Sequence, residues 1–148
     1  MSYLSPSYSC NHISSKNSVA PNNAFSTSNS VVLKADSGAS GNFLKSKDKH
    51  ILRHRQKITN GPIATLPDQS TISPEEHGHL PIDHVSDKAT SSLVYPKLSN
   101  SSLLSIGQMC DDDCIAIFTK KFLHILKDDK IILQGYRNLL DGLWDIPL

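Results

Sequence analysis

Hydrophobic and polar positions divide the chain into a polar leader and a succession of short strands. In residues 1–30 half the positions are Ser or Asn, and Tyr3, Leu4, Ile13 and Phe25 stand alone. Apolar residues so isolated cannot offset the entropy of ordering the segment, so 1–30 reads as a disordered tail. Order is expected from Val31. There Val31-Val32-Leu33 runs through Lys34 into Ala35-Asp36-Ser37-Gly38-Ala39-Ser40, the pattern of a buried strand that delivers a carboxylate into a turn. Asn42-Phe43-Leu44 follows, then a charged stretch at 45–57 that reads as a surface excursion with an irregular strand or one helical turn.

Further on, Ile63-Ala64-Thr65-Leu66 predicts a strand, Pro67-Asp68-Gln69 a turn and 70–75 a second extended piece. Glu76-His77-Gly78-His79 then reads as the polar tip of a projecting hairpin, with Leu80-Pro81-Ile82 returning from it. Residues 83–92 are loop-like, and Leu93-Val94-Tyr95 is a strand stopped by Pro96. Apolar residues recur at helical spacing over 103–110, although Asp111-Asp112-Asp113 at the C-terminal end opposes the macrodipole. Strands are expected at 114–118, 122–126 and 130–134, the last two around Lys127-Asp128-Asp129, and Leu143-Trp144-Asp145-Ile146 alternates apolar with polar. The class is mainly β with one short helix and a C-terminal β meander.

Composition narrows the functional classes. The 148 residues allow one modest domain, and a hydrophobic content of 38% suits a chain that is not packed throughout. The net charge is +1 with basic residues scattered, which gives no electrostatic footprint for nucleic acid. Cys10, Cys110 and Cys114 make no disulfide framework, as suits a reducing compartment. No stretch approaches the roughly 20 apolar residues of a membrane helix and no apolar segment opens the chain, so a soluble, cytoplasmic protein without membrane contact is expected.

Within the acidic turn, Asp36 is the group able to move a proton near neutral pH. Gly38 permits a tight turn and close approach of another backbone, Ser37 supplies a small donor and acceptor, and Ala39 adds no bulk. The same residues also build ordinary loop turns. Other candidates have plainer readings. His50 and His54 would share a helix face, but no Glu-supported zinc motif accompanies them. A metal set of His77, His79 and His84 is the weakest of the classes weighed. Cys110 and Cys114 lack a second pair at finger spacing, Trp144 reads as a packing aromatic, and Asn100-Ser101-Ser102 has no secretion signal to give it meaning. No metal and no cofactor are expected.

With the elements placed, the order of motifs resembles the protease region of copia-type LTR retrotransposon polyproteins. Four pieces carry the resemblance: Asp36-Ser37-Gly38-Ala39-Ser40 after its strand; Leu66-Pro67-Asp68-Gln69 leading to a hairpin with Gly78 at its tip; Leu93-Val94-Tyr95-Pro96-Lys97-Leu98; and Ser102-Leu103-Leu104-Ser105-Ile106-Gly107-Gln108-Met109-Cys110. Residues 31–118 are covered. Residues 119–148, with Gln134-Gly135-Tyr136-Arg137 and Leu143-Trp144, look like the opening of the pre-integrase region that follows in these polyproteins. The chain thus reads as a fragment of a larger element.

The resemblance implies a retropepsin-like closed β half-barrel and an aspartic endopeptidase. Two carboxylates sharing one proton would activate water and protonate the leaving group. This sequence holds one acid-hydroxyl-glycine triplet, because Asp141-Gly142 lacks the hydroxyl. The implied enzyme is therefore a homodimer in which Asp36 faces its own copy, acting on its own polyprotein in the cytoplasm or in a virus-like particle. Ser37 would bond across the axis, Gly38 would offer its backbone to the peptide, and His77, Gly78 and His79 would form the flap. The strand at 114–118 would join the dimer's interlocked sheet. Lys34 stands where the family keeps its strand apolar. The alternative is a catalytically inactive remnant that acts, if at all, as a self-associating β module.

Overall fold

The computed structural model describes residues 30–148. The expected tail at 1–30 lies outside the described residues except for Ser30. Among the described residues twelve strands form, and ten of them make one open sheet. In chain order these are β1 (Val32–Asp36), β2 (Asn42–Leu44), β3 (Arg53–Lys57), β4 (Ala64–Thr65), β5 (Thr71–Ile72) and β6 (Glu76–His79). They continue with β7 (Ser91–Val94), β8 (Ser102–Ser105), β9 (Ile115–Phe118), β10 (Phe122–Lys127), β11 (Lys130–Arg137) and β12 (Trp144–Pro147). The large sheet runs β3-β6-β7-β2-β8-β1-β12-β11-β10-β9, and β4 and β5 pair separately as a hairpin. The mainly β class is borne out. The sheet ends in two open edges, at β3 and β9, and is not closed into a barrel.

Consecutive strands β1 and β2 are not neighbours. Strand β8 lies between them, parallel to β1 and antiparallel to β2. The helix expected over 103–110 is thus half strand: Ser102–Ser105 alternates into the sheet, and only α2 (Ile106–Cys110) is helical. The switch occurs at Ser105, whose side chain accepts from the Gln108 N–H at 3.1 Å as an N-cap. A second short helix, α1 (Asp87–Thr90), and a 3-10 turn at Ser46–Ile51 complete the helical content.

One face of the sheet is the main core, built from Leu33, Leu44, Val94, Leu104, Leu123, Ile125 and Ile146 with Met109 of α2. Full burial contributes about 1.5–3 kcal/mol for each such side chain. The meander β9–β12 shares this core, and β12 pairs antiparallel with β1 at Val32–Pro147, Leu33–Ile146 and Lys34–Asp145. Residues 119–148 therefore extend the same sheet and pack on the same core. Asp128 and Asp129, both with positive φ (49° and 62°), form the two-residue link between β10 and β11, as the strand twist favours.

Two sequence expectations fail here. His77, Gly78 and His79 are not at a hairpin tip: they lie in β6, hydrogen-bonded to β3 on one side and β7 on the other. Gly78 is buried, and a Cβ there would lie 2.9 Å from the Cβ of Leu52 and 3.1 Å from the Arg53 carbonyl. Glycine is there because two elements meet tightly. Leu80-Pro81-Ile82 is not a strand. Leu80 and Ile82 instead anchor a loop in the core.

An ion pair ties the first half to the meander. Asp112 Oδ2 accepts from Lys127 Nζ at 2.5 Å and from the Ser86 N–H at 3.0 Å, which holds its carboxyl down at about 2, below the ordinary aspartate value. A depressed folded-state pKa gives stability that is complete above the unfolded value near 4 and is lost as pH falls toward 2. Urea titrations between pH 5 and 2 should show wild type losing stability more steeply than Asp112→Asn, whose curve should start lower and stay flatter.

Candidate active site

Asp36 is the last residue of β1, opposite Ser105 at the end of β8. Its carboxylate Oδ1 accepts from the Gly38 N–H at 2.7 Å, which folds the turn back on the acid. Gly38 does not have positive φ. Glycine serves instead through proximity, because a Cβ there would lie 3.3 Å from Asp36 Oδ1. Ser37 and Gly38 are exposed, while Asp36 and Ala39 are half-buried.

The turn is held from beneath by a polar network. Ser105 Oγ donates to the Ala39 carbonyl at 2.7 Å, and the Ser105 N–H donates to Asn42 Oδ1 at 2.9 Å. Asn42 is buried and donates through Nδ2 to the carbonyls of Ala89 and Ser91, each at 3.0 Å. Gln108 Oε1 accepts from the Asn42 N–H at 3.2 Å, and its Nε2 donates to the carbonyls of Lys88, Ala89 and Ser91. Backbone from β2, β7, α1 and β8 thus converges on three side chains. Sequence reasoning used Ser105 and Gln108 only as part of a signature. Their work was legible in outline, since buried amides and hydroxyls must find partners.

Strand alternation puts Val32, Lys34 and Asp36 on the face of β1 that looks away from the main core. The register carries that face across the sheet. From Lys34 one row runs through Leu103, Phe43 and Leu93 to His77. In the other direction it passes Asp145 and Tyr136 to Phe122. The β4–β5 hairpin covers the first half. Ala64, Leu66 and Ile72 pack with Phe43, Leu93, Tyr95 and Leu98, and the Tyr95 hydroxyl donates to the Pro62 carbonyl at 2.9 Å. Between the hairpin base and the residues after the acidic turn lies a groove of about 350 Å³, lined by Ser40, Gly41, Phe43, Ile63, Leu93 and Tyr95 among others.

Lys34, two residues before Asp36, is neutralised. Its Nζ is bonded to Asp141 at 2.5 Å and to Asp145. Burial works against its charge, but the hydrogen bonds to the two carboxylates outweigh it and raise its pKa. The Lys34 hydrogen bond, joined by the Leu143 N–H, lowers that of Asp141. Asp141 is therefore engaged with a cation and is not a spare partner for Asp36.

The predicted flap residues are not brought to the acid. His77 and His79 stack edge-on at 5.1 Å and bond to the hydroxyls of Ser91 and Thr90. Burial, then the neighbouring His79, pushes the His77 pKa down. What projects from the sheet on this side is the hairpin at 64–72, whose link is fixed by Asp68 Oδ1 accepting from the Ser70 N–H and hydroxyl. His50 lies in the 3-10 turn and His54 in exposed β3, so no helix face joins them. In comparisons with known proteins, no family model, curated protein or solved structure matches the chain.

Removing Gln108 leaves the Asn42 N–H and the Lys88 carbonyl without this partner, while the carbonyls of Ala89 and Ser91 keep Asn42 Nδ2, at a cost of about 1–3 kcal/mol for each group not rescued by water. Gln108→Ala should lower unfolding stability by about 2–4 kcal/mol in urea, and amide exchange should rise first at 39–42 and 88–91. Unchanged exchange in those segments would contradict the network's role.

Proposed function

We propose that the chain is an aspartic endopeptidase of the retropepsin-like kind, working as a homodimer on a polyprotein of the copia-type retrotransposon class. The observation that carries this reading is the arrangement around Asp36. An acid ends a strand whose neighbour β8 closes from the opposite chain segment, its turn is fixed by Ser105, Asn42 and Gln108, and a groove opens beside it under a hairpin.

The chemistry follows from having one acid-hydroxyl-glycine turn, at Asp36, per chain. Two Asp36 side chains brought together cannot both ionise cheaply, so they share a proton. The ionised oxygen draws a proton from a water held between them, and that water attacks the scissile carbonyl. The protonated partner donates to the carbonyl oxygen as it gains charge, and the diol so formed collapses by returning that proton while the water's proton passes to nitrogen and the C–N bond breaks. Apparent pKa values belong to the pair. The groove at Ser40, Gly41 and Phe43 accepts the extended peptide. The hairpin at 64–72, rather than 77–79, is the segment that covers it, seated through Ala64, Leu66 and Ile72 on Phe43, Leu93 and Tyr95.

The full chain, incubated with a peptide library at pH 4–7, should cleave with a rate that rises as the square of enzyme concentration while dimer is scarce. Asp36→Asn should lose at least about 1000-fold, equivalent to about 4 kcal/mol in the barrier, with an unchanged melting curve. A statine-type analogue should inhibit. Cleavage that survives Asp36→Asn would overturn the assignment. A folded, self-associating protein with no cleavage over that range would make it the inactive β module.

A further inference from the structure

We propose that the loop joining β11 to β12, residues 138–143, is a membrane-contact knob that seats this end of the sheet on an anionic lipid surface. At its tip Leu139 is 92% exposed and Leu140 97%, and Leu143 at its base is 47% exposed. The core closes without any of them, and adjacent leucines held this far into water mark a contact site rather than stray exposure. The loop is not slack. The Asn138 N–H donates to the Leu143 carbonyl at 2.7 Å and the Gly142 N–H to the Asn138 carbonyl at 2.8 Å. The side chains of Asn138 and Asp141 accept from the Leu140 and Leu143 N–H groups, each at 2.9 Å. Asn138 Nδ2 on Asp145, Asp141 on Lys34 and Arg137 Nε on the Gly142 carbonyl tie the loop to its surroundings. Four backbone N–H groups are thus satisfied inside the loop, so the tip can leave water without orphaning them. Its leucines are held out in advance, with little ordering left to do on contact.

The surroundings of the knob name its occupant. Strands β9 and β11 both run toward this end of the meander, so the β9–β10 turn lies beside the loop, and the Arg137 N–H donates to the Lys121 carbonyl at 2.9 Å. Lys120, Lys121 and Arg137 therefore stand near the leucines, all exposed, and none of the three is in an ion pair among the described residues. Of the acids at this end, Asp141 and Asp145 are bonded to Lys34, and Asp36 is held by the Gly38 N–H. Tyr136, edge-on to Phe122 at 5.7 Å and half exposed, adds an amphipathic ring of the kind that settles at a headgroup boundary. The far end of the meander carries Asp111, Asp112, Asp113, Asp128 and Asp129 against Lys127 and Lys130. That polarity points the leucines, not the acids, at a negative surface. Two leucines on a convex tip cover far less than the roughly 800 Å² per partner of a stable protein interface. A lipid surface asks only for shallow entry, about 5–10 Å, backed by cations. Among the described residues no helix is long and apolar enough to cross a membrane, so the contact is peripheral. It departs from the sequence expectation of a chain without membrane contact, and it does not depend on the chemistry at Asp36.

The full chain is mixed with vesicles of phosphatidylcholine alone, or of an equal mixture with phosphatidylserine, and bound protein is measured by flotation. Leu139→Ser/Leu140→Ser and Lys120→Ser/Lys121→Ser are compared with wild type, and melting curves confirm that each folds. Trp144, the only tryptophan, opens β12 at the foot of the loop and reports entry through quenching by acyl chains brominated near the headgroup. The expected result is binding to the mixed vesicles that is at least about tenfold weaker in the leucine variant and about fivefold weaker for each lysine removed. Quenching of Trp144 should disappear with the leucines. Equal binding to both kinds of vesicle would overturn the part given to the cations. Binding to mixed vesicles that the leucine change leaves intact would overturn the knob. A folded wild type that floats with neither vesicle would overturn the lipid surface as occupant, and sedimentation of the leucine variant would then show whether a second copy covers the loop instead.

Discussion

The structure depends on one insertion: strand β8 lies between β1 and β2, which are consecutive in the chain but held apart in the sheet. Such an insertion leaves the connection from β1 to β2 spanning an occupied strand, so the linking residues 37–41 must cross the end of β8. Main-chain groups in that crossing have no sheet partner. Ser105 bonds the Ala39 carbonyl there, Asn42 and Gln108 hold the base of the crossing, and the Gly38 N–H holds the Asp36 carboxylate. Position and polarity of the candidate site are thus consequences of the topology.

The two faces of the sheet then divide the work. One is packed throughout with aliphatic side chains, from Leu44 through Leu33 and Ile146 to Ile125, and gives the domain its stability. The other is interrupted at its centre by Lys34 and Asp36. Its two flanks differ in kind, with a hairpin over one and, on the other, exposed Tyr136, Phe122 and Ile117 interspersed with Gln134 and His124. The edges differ in the same way. Edge strand β3 is Arg53-His54-Arg55-Gln56-Lys57, charged and exposed along its length, whereas edge strand β9 is Ile115-Ala116-Ile117-Phe118. Charges on an edge discourage further pairing and an apolar edge does not.

Much of this was legible from residue pattern. Val31-Val32-Leu33 leading to Asp36 named a strand, and 122–126 with 130–134 named a hairpin, because alternation and a two-residue acidic turn are local signals. The failures were where a local signal was overruled by a distant neighbour. Leu103 has helical spacing with Ile106 and Cys110, yet β1 and β2 capture 102–105 as a strand between them. His77-Gly78-His79 has the polarity of a tip. Its glycine is required by the approach of Leu52, which sequence spacing does not reveal. Lys34 looked like a fault in the strand because its two acids come from more than a hundred residues away. The groove beside the turn was illegible for the same reason, since it is assembled from β2, β7 and the hairpin base.

Lys34 links these themes. A lone ammonium half-buried on the strand that carries Asp36 would be costly to leave unpaired. With Asp141 and Asp145 bonded to it, the group of three carries a net negative charge and no longer presents a free cation to the turn. Both acids lie in the segment read from sequence as downstream of the catalytic region. The meander therefore does two things for the site that its position in the chain would not suggest. It supplies β12, which holds β1 along Val32–Lys34 and stops short of Asp36, and it supplies the carboxylates that neutralise the nearest cation on that strand. Separating 119–148 from 31–118 would expose a strand edge and free a lysine two residues from the acid, so the two stretches form one structural unit.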